Sequence, residues 1–174
     1  MNELKSDDEL LDLVDEHDQV IGSRLRSEIY SEGQCNFRVI NAFMVNSTGC
    51  LWIPRRSANK RIFPLCLDMS VGGHVASGET YDEAFRRELR EELGQDLDEV
   101  EWKSLGHLNP DEHNVSAFMQ VYEIRSDHAP DYNKEDFIEY FWIEPQEIME
   151  RIEKGDGAKD DLPKLIKRFF LSQN

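Results

Sequence analysis

Within the segment "GHVASGETYDEAFRRELREELG", Gly73 to Gly94, the chain sets Glu79, Arg87, Glu88, Glu91 and Glu92 close together. Carboxylates this concentrated have two ordinary uses. They can be a solvated helix face laced with i,i+4 pairs to arginine, or oxygen ligands for a hard divalent cation. Thr80 followed three residues later by Glu83 is a capping-box pattern, and Gly94 is a natural stop, so the spacing predicts a helix over 81–93. At about 100° per residue, with Phe85 at the origin, Leu89 and Leu93 fall at roughly 40° and 80°, a narrow apolar stripe. Glu88, Glu91 and Glu92 fall at about 300°, 240° and 340° on the same wheel. Three carboxylates therefore share one face beside the stripe, while Glu83, Arg86, Arg87 and Arg90 occupy the remaining arc. Composition of the helix alone leaves both uses open.

The elements that must position this helix are legible in outline. "LLDLVDEHDQVIGSRL" reads as two short strands around a polar turn, followed by a brief helical or loop segment through "RSEIYSEG". "FRVINAFMVN", "STG" and "CLWIPRR" read as a hairpin turning at Gly49. Residues 57–70, broken by Pro64, form a connection long enough to suggest a functional loop. Strands are predicted at "EWKSLGHL", "VSAFMQVYEI" and "FIEYFWI". Helices are predicted at "PQEIMERIEKG" and "LPKLIKRFFLSQ", each with proline near its entry. The sum is an α/β sandwich with a mixed β-sheet, a single domain in which residues 1–35 add a strand pair and short helix to a main body over 36–174. The first eight residues are expected to be loose.

Length and charge narrow the function. A chain of 174 residues suits one core. Its 36 acidic and 20 basic residues give a net charge of −16, which argues against nucleic acid or an anionic membrane as a partner. A phosphorylated ligand would then need a metal or a local basic cluster. Cys35, Cys50 and Cys66 form no CxxC pair, so a disulfide framework is not expected and a reducing cytoplasm fits. Neither a signal peptide nor a membrane span is predicted.

The spacing Gly73, Glu79, Arg87-Glu88-Leu89, Glu91-Glu92 and Gly94 resembles the Nudix box, G-x5-E-x7-R-E-U-x-E-E-x-G-U, at every fixed position but the last, where Gln95 replaces an aliphatic residue. The resemblance implies a Nudix-type α/β/α sandwich and a Mg²⁺- or Mn²⁺-dependent hydrolase in which water attacks a small-molecule diphosphate. By the same resemblance Glu88, Glu91 and Glu92 bind metal, with a backbone carbonyl near Gly73. Glu79 and Arg87 hold the loop to the helix, and one of the glutamates, which one being open, serves as general base. Mg²⁺ or Mn²⁺ also makes chemical sense, because a diphosphate cannot approach a carboxylate cluster unless cations neutralise both.

Beyond the box, "VDEHDQVIGSRLRSEIY", "LWIPRRS", "KRIFPLCLDMSVGGHV" and "EHNVSAFMQV" resemble the branch of the superfamily that includes isopentenyl-diphosphate isomerases. Those isomerases carry cysteine in a V-C-G-H segment where this chain has Val71-Gly72-Gly73-His74, which disfavours isomerisation. Arg38 stands approximately where one of their metal histidines would be. His74 and Glu112 match a metal histidine and a metal glutamate of that branch, against a structural or surface role for each. Arg55, Arg56, Lys60 and Arg61 suit diphosphate binding or a solvated basic patch. Glu135 and Glu139 are candidates for a further acid from a late loop, and Cys66 reads as a small hydrophobe rather than a nucleophile. Three functions follow: a diphosphate hydrolase, an isomerase-like enzyme and a non-catalytic binding module. A homodimer is compatible with each.

Overall fold

The alternation of side chains along Arg38–Val45 organises the molecule. In this strand, Ile40, Ala42 and Met44 belong to one apolar cluster, and Phe43 and Val45 to another, so a single β-strand feeds both faces of a sheet. A computed structural model describes residues 8–171. Its elements are β1 (Leu10–Val14), β2 (Val20–Leu25), α1 (Arg26–Ser31), β3 (Arg38–Val45), β4 (Leu51–Arg56), β5 (Val71–His74) and α2 (Tyr81–Leu93). They continue with β6 (Glu101–Leu108), α3 (Pro110–His113), β7 (Phe118–Arg125), β8 (Phe137–Ile143), α4 (Pro145–Glu153) and α5 (Asp161–Ile166), which runs into a π-helical turn at Lys167–Leu171.

The main sheet runs β6-β7-β3-β4-β8, with β3 and β7 parallel and the other pairs antiparallel. The second edge of β3 is divided. Residues 39–42 pair with β5, and residues 44–45 pair with β4. Ser70 ties the fork together, its hydroxyl accepting from Met44 N–H at 2.8 Å and donating to Trp52 O at 2.6 Å. On one face Ala84, Phe85, Leu89 and Leu93 of α2 pack against Ile40, Met44 and Tyr122. On the other, Ile148, Met149, Leu162 and Leu165 cover Phe43, Ile53 and Val121. This is the expected α/β sandwich. Both β5 and α3 lie in stretches that give too short a signal to read: four residues each, in β5's case two of them glycine.

The strand pair β1-β2 makes its own small sheet and grips the loop before α2. Asp12 accepts from the Ser77 hydroxyl (2.6 Å) and Gly78 N–H (3.0 Å), and Leu11 bridges to Ala76. The expectation of a loose start lies, Asp8 aside, outside the described residues; Asp8 itself accepts from Ser27 N–H at 2.9 Å. No helix among the described residues is long and apolar enough to cross a membrane.

Both halves of the capping box form: Thr80 accepts from Glu83 N–H (3.2 Å), and Glu83 accepts from Thr80 N–H (2.8 Å). Thr80→Ala removes one half at the helix entry and should cost about 1 kcal/mol, a fall of about 2–4 °C in Tm on a thermal melt.

Candidate active site

Helix α2 and strand β5 meet through Arg87. Its Nε and Nη2 donate to the two oxygens of Glu79 at 2.8 and 2.9 Å, and Nη2 also donates to His74 O at 2.9 Å. Its Nη1 donates to Glu88 Oε1 at 2.6 Å and stands 3.6 Å from Glu91. Glu79 in turn accepts from Ala76 N–H at 2.9 Å, closing the loop onto itself. One guanidinium therefore fixes the loop, the strand end and the helix, using the planar fork that only arginine offers.

The helix comes this close because Gly73 has no side chain. A Cβ there would lie 2.2 Å from both Cδ and Oε1 of Glu88, a clash that only displacement of the Glu88 side chain or of the helix would relieve. Glu88 is buried as a result, and desolvation, opposed by Arg87, raises its pKa to about 7. Glu92 accepts from Gly72 N–H at 3.1 Å. Although partly exposed, it is hemmed in by protein, and burial together with the charges of Glu88, Asp68 and Asp136 pushes its pKa well above the usual carboxylate range. Glu91, by contrast, is exposed. Of the three glutamates that share a face on the helical wheel, the two nearest the apolar stripe are drawn inward, and the third remains in water.

The other residues singled out from the sequence separate into groups. Arg56 donates to buried Asp68 at 2.6 Å, and Lys60 pairs with Asp136; both acids act on Glu92. Arg55 points elsewhere, to Glu139 (2.5 Å) and Asp156 (2.8 and 3.2 Å). Glu139 is thus engaged on the outer side of β4. Arg61, Glu112 and Glu135 are exposed, and Glu112 donates its N–H to the Asn109 cap. His74 turns its ring to Tyr30 (2.9 Å) and stacks on Phe37, and burial lowers its pKa to about 3. Cys66 packs against Gly157. Asp68, Asp136 and Lys159, all close to the Glu92 end of the site, were not singled out by sequence reasoning. Only their neighbourhoods gave a signal, Asp68 through the long loop 57–70 and Asp136 through the late acidic loop. Among the described residues no three His, Cys, Asp or Glu side chains are already gathered to hold a metal ion.

The Glu79–Arg87 contact implied by the box resemblance is present, whereas Glu91 stays in water apart from Glu88 and Glu92; comparison with known proteins addresses the family. The NUDIX domain model matches residues 36–166, and the chain belongs to this family as a Nudix hydrolase. A Nostoc protein named as an uncharacterized Nudix hydrolase is 62% identical over 169 residues, covering 97% of this chain and all of the relative. A Deinococcus radiodurans Nudix hydrolase is 48% identical over 166 residues, covering 95% of this chain and 96% of its own. The crystal structure of DR0079 from the same organism superimposes with a TM-score of 0.88 at 47% identity, over 93% of this chain and 99% of that one. Proteins named isopentenyl-diphosphate Delta-isomerase are more distant, for instance 25% identical over 153 residues in Kocuria rhizophila, covering 84% of this chain and 83% of that one. The family is thereby shown, and membership of the isomerase branch is not.

Two outcomes follow. Gly73→Ala must displace Glu88 or part α2 from β5, at about 1–3 kcal/mol by melting or denaturant titration. In metal-free protein, Glu88 titrates near 7 when folded against an ordinary 4.5, so the folded state holds a proton the unfolded state has released between those values. Glu88 should therefore contribute a fall in stability as pH rises from about 5 to 7, of at most about 1.4 kcal/mol per unit, and Glu92, raised in the same direction, should add to it and carry it further. Melts in chelator across that range check the sign, and Glu88→Gln should flatten the decline.

Proposed function

We propose that this Nudix hydrolase is divalent-metal-dependent and cleaves the diphosphate linkage of a nucleoside diphosphate-X or related organic diphosphate by water attack. The observation that carries the reading is the pair Glu88 and Glu92, two carboxylates held against the backbone of Gly73 and Gly72, both with raised proton affinity, Glu88 through burial and Glu92 through burial and the charge of Glu88 among others. A donor set of hard oxygens whose repulsion Arg87 offsets only in part fits Mg²⁺ or Mn²⁺. Glu88, Glu91 and Glu92, with the carbonyl of Gly73, would hold the ion. Such an ion supplies polarisation of phosphoryl oxygens and a lowered pKa for water.

The chain's own residues account for the rest. Arg87 and Glu79 keep Glu88 in place, so that the carboxylates arrive preorganised rather than as a mobile surface. A raised proton affinity suits Glu88 or Glu92 to accept the proton of the attacking water near neutral pH. Arg56 and Lys60 stand on the same side as Glu92 and supply positive charge toward the diphosphate. Arg61, exposed on the approach loop, can add to it. We assign Arg55 to the frame instead, since Glu139 and Asp156 occupy its fork. With Gly72 at β5 there is no thiol for an isomerase-type step, and Cys66 is turned to Gly157.

Glu92→Gln should lower turnover by at least about 100-fold while shifting Tm by only a few degrees, because the side chain is not part of either apolar cluster. Chelation should abolish hydrolysis, and added Mg²⁺ or Mn²⁺ restore it. A panel of organic diphosphates with both products weighed by mass spectrometry identifies the scissile bond. Unchanged turnover in Glu92→Gln overturns the reading.

A further inference from the structure

The segment between α4 and α5 returns to the site along a short backbone bridge. Leu67 N–H donates to Gly157 O at 2.8 Å, Lys159 N–H donates to Leu67 O at 2.9 Å, and Leu67 and Ala158 pair in parallel. Upstream, Asp156 is clamped by Arg55 and by Arg151 at 2.8 Å. The frame built around Arg55 thus delivers one particular side chain. The Lys159 ammonium stands 3.7 Å from Asp68 and 3.6 Å from where a Cβ on Gly72 would lie. Gly72 is the residue whose N–H holds Glu92.

The three cations at this end of the site differ in how they are used. Arg56 is hydrogen-bonded to Asp68, and Lys60 to Asp136. Among the described residues the Lys159 ammonium meets no hydrogen-bond acceptor, its ion pair with Asp68 being too long for one. Its three donors are therefore available, and the backbone bridge to Leu67 sets the residue beside Gly72, whose N–H reaches Glu92. A Cβ on Gly72 would lie 3.1 Å from Asn41 Oδ1 and in van der Waals contact with the ammonium at 3.6 Å, so the bare backbone leaves the ammonium's side facing Gly72 without a side-chain neighbour from β5.

We propose that Lys159 is a substrate-contacting residue that binds a phosphate of the diphosphate beside Glu92. The inference rests on the assignment of the Glu88 and Glu92 site given above and adds a residue outside the box to it. In a chain of net charge −16, an ammonium free to donate is what a phosphate oxygen requires at a site walled by Asp68, Asp136 and Glu92.

The test is calorimetric titration of inorganic pyrophosphate, with Mg²⁺ present, into the wild type, Lys159→Met and Lys159→Arg, together with Mg²⁺ alone and a thermal melt for each. Loss of one charge-assisted hydrogen bond should weaken pyrophosphate binding about 10-fold or more in Lys159→Met. Lys159→Arg should stay within about threefold, with the Mg²⁺ affinity and Tm of both variants near wild type. Equal pyrophosphate affinity in Lys159→Met and wild type overturns the inference, as does a wild type that binds no pyrophosphate. A parallel loss of Mg²⁺ affinity in Lys159→Met also overturns it, since the lysine would then be supporting the glutamates rather than the phosphate. Glu92→Gln separates the two readings: if that variant turns over normally the site assignment itself fails, whereas an inactive Glu92→Gln beside an unaltered Lys159→Met removes Lys159 alone.

Discussion

Arg87 brings one positive charge into a corner where Glu79, Glu88 and Glu91 would otherwise face one another, and every other feature of the candidate site depends on that neutralisation. Its donors reach the loop at Glu79, the strand at His74 O and the helix at Glu88. A lysine could satisfy the charge but not the geometry, since a single ammonium cannot present parallel donors to one carboxylate and a carbonyl at once. With the corner fixed, α2 can lie against β5 closely enough that Gly73 touches a carboxyl group. The burial that raises the proton affinity of Glu88 follows from that contact and not from any apolar pocket.

A second layer of charge surrounds the first. Asp68 and Asp136 each strengthen the pull of Glu92 for a cation, and each is held by a base, Arg56 and Lys60 respectively. Acids near acids would ordinarily be a liability. Here the pairing lets the negative field be concentrated at one point while the flanking positive groups stay within the same wall. Strand geometry supplies the separation of roles. Arg55 and Arg56 are adjacent at the end of β4, where the register with β8 shifts, and they reach different acids, one into the scaffold around Asp156 and the other to Asp68.

How much of this could be read from residues alone follows the range of the interactions. The helix 81–93, its cap and its stop are local, and the sequence wheel places Leu89 and Glu88 on the correct sides. The same wheel groups Glu91 with Glu88 and Glu92, but depth of burial depends on how closely β5 approaches, which a wheel does not contain. The two neighbouring arginines of β4 carry identical chemistry, and nothing in the order of letters says which faces the site. Lys159 is further still from legibility. It sits in "GDGAKDD", an acidic stretch with no motif, and acquires its position only through a bridge to residue 67.

The bridge between Leu67 and Ala158 divides the site into two inheritances. The glutamates belong to one continuous stretch of chain and could be moved as a cassette from one Nudix scaffold to another without losing their mutual arrangement. The groups opposite them come from two ribbons far apart in the chain, sewn together by two backbone hydrogen bonds. Exchanging loop 57–70 without its companion at 156–159 would leave the first ribbon unsupported. On the assignments proposed above, a motif in one stretch of chain would keep the reaction constant, while what is bound would change when two separate segments change in concert.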